Sequence, residues 1–565
     1  MAVRPYDLVH VGGTWTARVR ARGRDVLAPA LLNRGTAFTE QERERLELTG
    51  FLPDGVSTLE GQVRRVYGQY TRQPTALDKH VYLSNLRDRN EVLFHRLLAD
   101  HLEEMLPIVY TPTIGTAIER FSQEYQRPRG VYLSIDRPEE VHERLAHTDL
   151  TADDVDLIVA TDGEGILGIG DWGVGGQQIA VGKLSVYTAA AGVHPLRALP
   201  VMLDTGTDNP ALLNDDFYLG IRHARVRDER YDAFIEAFVT TATKLFPYAM
   251  LHWEDLAAAN ARRVLANWAD RCCTFNDDMQ GTAAVVLAAA WAATETAGTR
   301  LREARIVVHG AGTAGIGIAD MLRDAMIAEG LSPAEATARF WAVDRRGLLT
   351  SDQTAGMRDF QAPYARPPDE VAGWGSTGSL GLAEVVRHVH PTILIGTSAQ
   401  AGAFTEAIVR EMAAHCERPI IMPLSNPTSR AEAVPADLVR WTAGRVLTAT
   451  GSPFAPVEHG GRTHEISQAN NALIFPGLGL GVVVARAGRV SNGMLMAAAR
   501  ALASIARGTA LLPPVTQLRA VSATVAAAVA RTAQEEGLAR LPLTELVQQI
   551  HDAMWRPAYP ALDII

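Results

Sequence analysis

The chain is poor in cysteine, in long apolar runs and in clustered positive charge, and each shortage removes a class of protein. Its three cysteines in 565 residues, Cys272, Cys273 and Cys416, are an odd number without CxxC spacing, and the adjacent pair would strain any disulfide. A disulfide scaffold is excluded, and a cytoplasmic location is expected. The most apolar run, "AAVVLAAAWAA" at 283–293, falls well short of the roughly 20 residues that a membrane span needs. The opening "MAVRPYDLVHVGGTW" has no continuous apolar stretch of the signal-peptide kind, so no membrane partner is expected. The net charge of −10 leaves no basic footprint for nucleic acid. Repeats, low-complexity tracts and flexible linkers are also missing.

What is present is a globular composition, 47% hydrophobic and 21% charged, in a chain long enough for two to four domains. The N-terminal part mixes charge and loops, with a helix start at Thr39, whose reciprocal capping partner is Glu42. Helical spacing continues through "NEVLFHRLLADHLEEMLPIVY". Among glycines, "DLIVATD" and "ALPVMLDTG" read as strands, "YDAFIEAFVTTATKLF" as a helix and "YAMLHWED" as a further strand. From about residue 280, "ARIVVHG", "ARFWAVD", "PTILIGTS", "RPIIMPLSN" and "GRVLTATG" alternate with helical lengths. That alternation predicts an α/β fold with a mostly parallel, doubly wound sheet.

The spacing GxGxxG occurs twice, at Gly168–Gly173 and Gly310–Gly315. Only the second follows a strand and opens a helix, which sets backbone N–H groups and a helix N-terminus where a pyrophosphate would sit. Gly310, Gly312, Thr313, Ala314 and Gly315 are therefore the expected dinucleotide loop. Asp344, at the end of the next strand, is the expected acid for the ribose hydroxyls. The first copy carries Asp171 inside the loop, where its charge would repel phosphate. Arg345 and Arg346 follow Asp344 and bear on NAD against NADP, since arginine accommodates a 2′-phosphate.

"TFNDDMQGT" at 274–282 places Asp277 and Asp278 side by side, and "LHWEDL" does the same with Glu254 and Asp255. Adjacent side chains on an extended segment point to different partners. Carboxylates gathered at the ends of neighbouring segments suit Mg2+ or Mn2+, with substrate and water completing the shell. Lys183, in the apolar "IAVGKLSVYTAAAG", sits where burial disfavours the charged ammonium and suits a general base. Tyr110, in "LPIVYTPT", is an apolar-flanked phenol at a turn. The structural alternatives are a core-edge lysine and a buried aromatic.

Taken in order, "VYTPTIG", "TDGEGILGIGDWGVGG", "VGKLSVYTAAAG", "HWEDL", "FNDDMQGTAAV", "GAGTAGIGIA", "PLSNPTSRAEA" and "QANNALIFPGLGLG" resemble the malic enzyme family from about residue 30 onward. The resemblance implies a segment 1–75, a mixed α/β substrate and metal domain over 76–279, a Rossmann-type NAD-binding domain over 280–540 and a tail, 541–565. It implies oxidative decarboxylation of (S)-malate to pyruvate and CO2, with NAD and a divalent metal, in a homo-oligomer, dimer or tetramer. By motif, Tyr110 matches the general acid, Lys183 the general base and Asp277 the carboxylate that assists it. Glu254, Asp255 and Asp278 match the metal ligands. Asn426 and Asn471 match the asparagines that hold malate and the nicotinamide side.

Two departures from the family pattern stand out. Gln361, in "DFQAPYA", lies in the stretch where NADP users tend to carry a lysine, which favours NAD. Gly165 in "TDGEG" stands where the family usually has an arginine that binds malate and the dinucleotide, and its loss removes a bidentate clamp. The same stretch is similar to the malolactic enzymes, which keep NAD and Mn2+ but release lactate; that is the alternative reading. A malate or NAD sensor without catalysis is disfavoured by retention of Tyr110, Lys183, both aspartates and the three ligands.

Overall fold

The computed structural model describes residues 4–11, 14–166, 168–353, 355–375, 379–506 and 510–565. They form two compact units, Met1–Pro247 with Val547–Ile565, and Tyr248–Leu546.

In the first unit an antiparallel hairpin, Tyr6–Val11 with Thr14–Val19, accepts Ala561–Ile564 as a parallel third strand, Leu562 opposite Ala17. The predicted cap at Thr39 is present as a full capping box with Glu42, starting helix Glu40–Arg45. Helices Leu59–Tyr70, Ala76–Arg89, Glu91–Asp100 and Leu102–Val109 then bury Tyr70, Leu83, Phe94, Leu97 and Met105 in one cluster. Three parallel strands lie in the order Val131–Ser134, Ala198–Asp204, Leu157–Thr161. Every residue of Leu157–Thr161 is buried, as expected for a parallel strand covered on both faces.

The second unit begins with two parallel strands, Met250–Trp253 and Thr274–Asn276, whose carboxyl ends carry the acidic pairs. Helix Thr282–Thr296, apolar all round, is buried along nearly its whole length. A seven-stranded sheet follows, ordered Gly347–Leu348, Phe340–Asp344, Ile306–His309, Ile393–Gly396, Ile420–Pro423, Leu447–Thr450, Ser467–Gln468. Numbered by chain order this is 3-2-1-4-5-6-7, the dinucleotide-binding order with one strand added. The pairs that follow strand two are parallel. Strand three is antiparallel, with Gly347 opposite Asp344, because only Arg345 and Arg346 separate it from strand two. Two residues make a hairpin, whereas a parallel crossover needs a dozen or more. The order reverses between Ile306–His309 and Ile393–Gly396, and a crevice beyond the carboxyl ends of two such strands is where a doubly wound sheet takes its ligand.

Candidate active site

The strand Met250–Trp253 alternates its side chains, so His252 and Glu254 share a face. His252 is fully buried, and its Nε2 donates to Glu254 Oε2 at 2.9 Å. The chain then turns sharply at Asp255, in the left-handed region at φ 51°. That turn brings the Asp255 backbone N–H to Asp278 Oδ2, at 2.8 Å. Glu254, Asp255 and Asp278 thereby offer carboxylate oxygens within 4.8 Å of one another. Glu254 and Asp255 are only 2% and 3% exposed, and convergent carboxylates out of water are costly without a cation. The all-oxygen donor set fits Mg2+ or Mn2+.

Thr274–Asn276 runs into a π-helical turn, Asp277–Gly281, that starts with the Asn276 side chain accepting the Met279 N–H at 2.9 Å. A Cβ at Gly281 would collide with the Asp277 carboxylate, so glycine is needed there. Asp277 is 1% exposed. Asn471 Nδ2 donates to Asp277 Oδ2 at 3.0 Å and to the Asp277 carbonyl at 3.2 Å. The adjacent aspartates thus point to different partners, Asp278 toward Glu254 and Asp255, Asp277 toward Asn471. Asn471 holds Asp277 through its amide, and His252 with Glu254 and Asp277 makes a second, overlapping group.

In the first unit, Lys183 lies on helix Gln177–Val186 and is 1% exposed. Its Nζ stands 5.0 Å from the centre of the Tyr110 ring, a cation–π contact that compensates part of the cost of burying the amine. Tyr110 ends helix Leu102–Val109 and remains partly accessible. The lysine and the phenol singled out in the sequence are therefore neighbours.

The dinucleotide loop has the expected form, a strand Ile306–His309, the glycines and a helix Thr313–Ala328. Gly310 has φ 110°, and a Cβ there would strike the Thr397 backbone of the neighbouring strand's end. A Cβ at Gly315 would strike the Gly310 carbonyl, whereas Gly312 faces open space. Two glycines close the loop and the third leaves it approachable, the pattern a pyrophosphate needs. Thr313 and Ala314 supply the first helical N–H groups.

Asp344 accepts the Arg346 N–H at 2.6 Å and its Nη2 at 3.1 Å, while Arg346 Nη1 donates to the Ala355 carbonyl at 2.6 Å. Gln361 is buried, and its Nε2 donates to the Ala311 carbonyl at 2.6 Å, holding the glycine loop from behind. Asn426 Oδ1 accepts from Ser452 Oγ at 2.5 Å.

Three residues that the sequence did not single out support these groups. Glu432, fully buried, accepts from the Ser398 N–H and Oγ, both at 2.8 Å, and from Ser425 Oγ at 2.5 Å, tying together the loops after Ile393–Gly396 and Ile420–Pro423. Its place inside "SNPTSRAEA" was the available signal. His252 was signalled by its two-residue spacing from Glu254. Arg225 explains the first glycine loop: it grips Asp171 with Nη2 to Oδ1 at 2.6 Å and Nε to Oδ2 at 3.0 Å. It also donates to the Asp162 carbonyl at 2.9 Å and Thr205 Oγ1 at 2.8 Å. Beside Gly165, Glu164 pairs with Arg227 at 2.6 Å; burial and the nearby Asp162 push the Glu164 carboxyl up.

Residues 87–269 match the family of the malic enzyme N-terminal domain and residues 279–534 that of the malic enzyme NAD-binding domain. NAD-dependent malic enzyme 3 of Bacillus subtilis is 55% identical over 551 residues, covering 96% of this chain and 97% of its own length. The NAD-dependent malic enzyme of Sodalis glossinidius is 49% identical, with 94% of each chain covered. The crystal structure of the malic enzyme from Pyrococcus horikoshii superimposes with a TM-score of 0.54 at 25% identity, covering 80% of this chain and 89% of that one. With both family domains and near full-length relatives matching, and with the acidic cluster and glycine loop in place, this chain belongs to the malic enzyme family.

Proposed function

We propose that this chain oxidises (S)-malate with NAD and decarboxylates it to pyruvate and CO2, using Mg2+ or Mn2+. The observation that carries the reading is the convergence of Glu254, Asp255 and Asp278 in the same unit as the Gly310–Gly315 loop. The high identity to enzymes named as NAD-dependent malic enzymes supports it. Glu254, Asp255 and Asp278 hold the ion. Gly310, Gly312, Thr313, Ala314, Gly315, Asp344 and Asn426 take the dinucleotide, and Asn426 and Asn471 orient substrate and nicotinamide.

When bound, the divalent ion would draw charge from the malate C2 oxygen and NAD would take up the C2 hydride. Lys183 accepts the C2 hydroxyl proton as that hydride leaves, and Asp277, oriented by Asn471, assists the transfer. Tyr110 supplies a proton to C3 after CO2 departs. NAD is favoured over NADP because Arg346 is already spent on Asp344 and the Ala355 carbonyl, while Gln361 faces the loop rather than a phosphate. We assign the protein to the cytoplasm as a homo-oligomer, dimer or tetramer, on the family resemblance. No helix among the described residues is long and apolar enough to cross a membrane.

The test is the product balance with (S)-malate, NAD and Mn2+. One NADH and one pyruvate per malate is the expected result, with NADP a much poorer acceptor. Lactate without net NADH would contradict the assignment and place the chain with the malolactic enzymes, to which Gly165 is common ground.

A further inference from the structure

Away from the acidic cluster, helices Leu382–Val389 and Glu406–His415 pack on one apolar core that includes Val385, Val386, Val389, Ile408, Val409 and Met412. Their carboxyl ends meet. His390 caps the first helix in the left-handed region, at φ 47°, and His415 is the last residue of the second. The two rings stack at 3.7 Å between centres, with 24° between their planes. Glu411, one turn before His415, lies 3.3 Å from its Nε2. One ligand atom from each of the three residues falls within 4.8 Å of the other two.

From this geometry we propose that His390, Glu411 and His415 form a second metal site, for a late first-row transition ion of the Zn2+, Ni2+ or Cu2+ class. Two imidazoles and one carboxylate are the donor set such ions prefer, whereas Mg2+ favours the all-oxygen group at Glu254, Asp255 and Asp278. Both helices end at the site, so the negative ends of two helix dipoles favour a cation there. Two stacked imidazoles would repel if both were charged, and a shared cation removes that conflict.

Arg305, a neighbouring cation, is turned to the backbone. Its Nε donates to the Val389 and His390 carbonyls, both at 2.9 Å, and its Nη2 to the His390 carbonyl at 2.6 Å. It therefore holds His390 in its unusual conformation. Binding would swing the stacked rings slightly apart and cross-link the two helix ends, so the ion stabilises the folded protein by mass action.

The experiment uses the full chain, stripped of metal and then saturated with Mg2+, titrated with Zn2+ by calorimetry and by thermal unfolding. His415→Ala removes an exposed ring, Glu411→Gln removes the charge, and His390→Asn keeps a residue that tolerates the left-handed region. Wild type is expected to take up one Zn2+ equivalent more than His415→Ala or His390→Asn, with a Zn2+-dependent rise in unfolding temperature that both variants lose. Bound Cu2+ should show hyperfine coupling from two imidazole nitrogens, with at least one of the two lost in each of the same variants. Equal Zn2+ stoichiometry in wild type and His415→Ala, or a Cu2+ spectrum unchanged by either histidine substitution, would overturn the proposal. Turnover with Mg2+ should be the same in all four proteins, which separates this site from the catalytic one.

Discussion

The chain contains two loops with identical glycine spacing, Gly168–Gly173 and Gly310–Gly315, and uses them in opposite ways. In the first, Asp171 fills the loop and is locked by the fork of Arg225. It also accepts the Gly173 N–H at 3.0 Å and the Asp208 N–H at 2.8 Å. The N–H donors of Ile169, Gly170, Trp172 and Gly173 are satisfied within the protein. In the second, no acidic residue enters, and the middle glycine faces open space at the start of a 16-residue helix. A glycine spacing thus specifies close backbone approach, and the residues between the glycines decide whether protein or ligand is approached.

Substitutions should separate the two loops, and the largest effect belongs to the closed one. Arg225→Ala leaves the Asp171 carboxylate partly buried without its fork, and removing one partner of a buried pair costs about 3–5 kcal/mol. Chemical unfolding should show that loss, with NAD affinity of the remaining folded protein unchanged. In the open loop the order reverses. Gly310→Ala forces a Cβ into the Thr397 backbone at a φ that side chains rarely adopt, and NAD affinity should fall on the order of 100-fold in a fluorescence titration. Gly312→Ala meets no protein atom, so stability should be unchanged while the KM for NAD rises roughly tenfold.

The smallest effect is that of acid on the closed loop. Burial raises the Asp171 carboxyl, but the hydrogen bonds and charge of Arg225 outweigh it and hold it below the ordinary 3.8. A carboxyl depressed in the folded state contributes stability that is present above the unfolded value and lost as pH falls through the folded one. The pair should hold at neutral pH and weaken only below about pH 4. Asp171→Asn should accordingly show a shallower loss of stability with acid than wild type in that range.

Legibility in the sequence followed burial. The strands from Ile306 to Thr450 were readable because parallel strands covered on both faces are continuous apolar runs. The reversed strand Gly347–Leu348 was not, since two residues carry no periodicity and its direction is set by the short turn before it. Ala561–Ile564 was missed because its partner is more than 500 residues earlier and four residues give little pattern. At the site, adjacent carboxylates stood out against apolar surroundings, and Lys183 stood out as a charge in a buried helix. His252 was passed over because a single polar residue in an apolar stretch reads as core, and Glu432 because one acid in a polar loop reads as surface until its bonds to Ser398 and Ser425 are seen. The bond from Asn471 to Asp277 joins side chains 194 positions apart and follows only from the packed structure.

The central claim is that the neighbouring aspartates divide the work, Asp278 serving the ion and Asp277 the proton. Mn2+ affinity and turnover measured together in Asp277→Asn and Asp278→Asn test it most directly. Asp278→Asn should lose Mn2+ binding and activity together. Asp277→Asn should bind Mn2+ within a few-fold of wild type while turnover falls on the order of 1000-fold. Equal loss of Mn2+ affinity in the two variants would contradict the division.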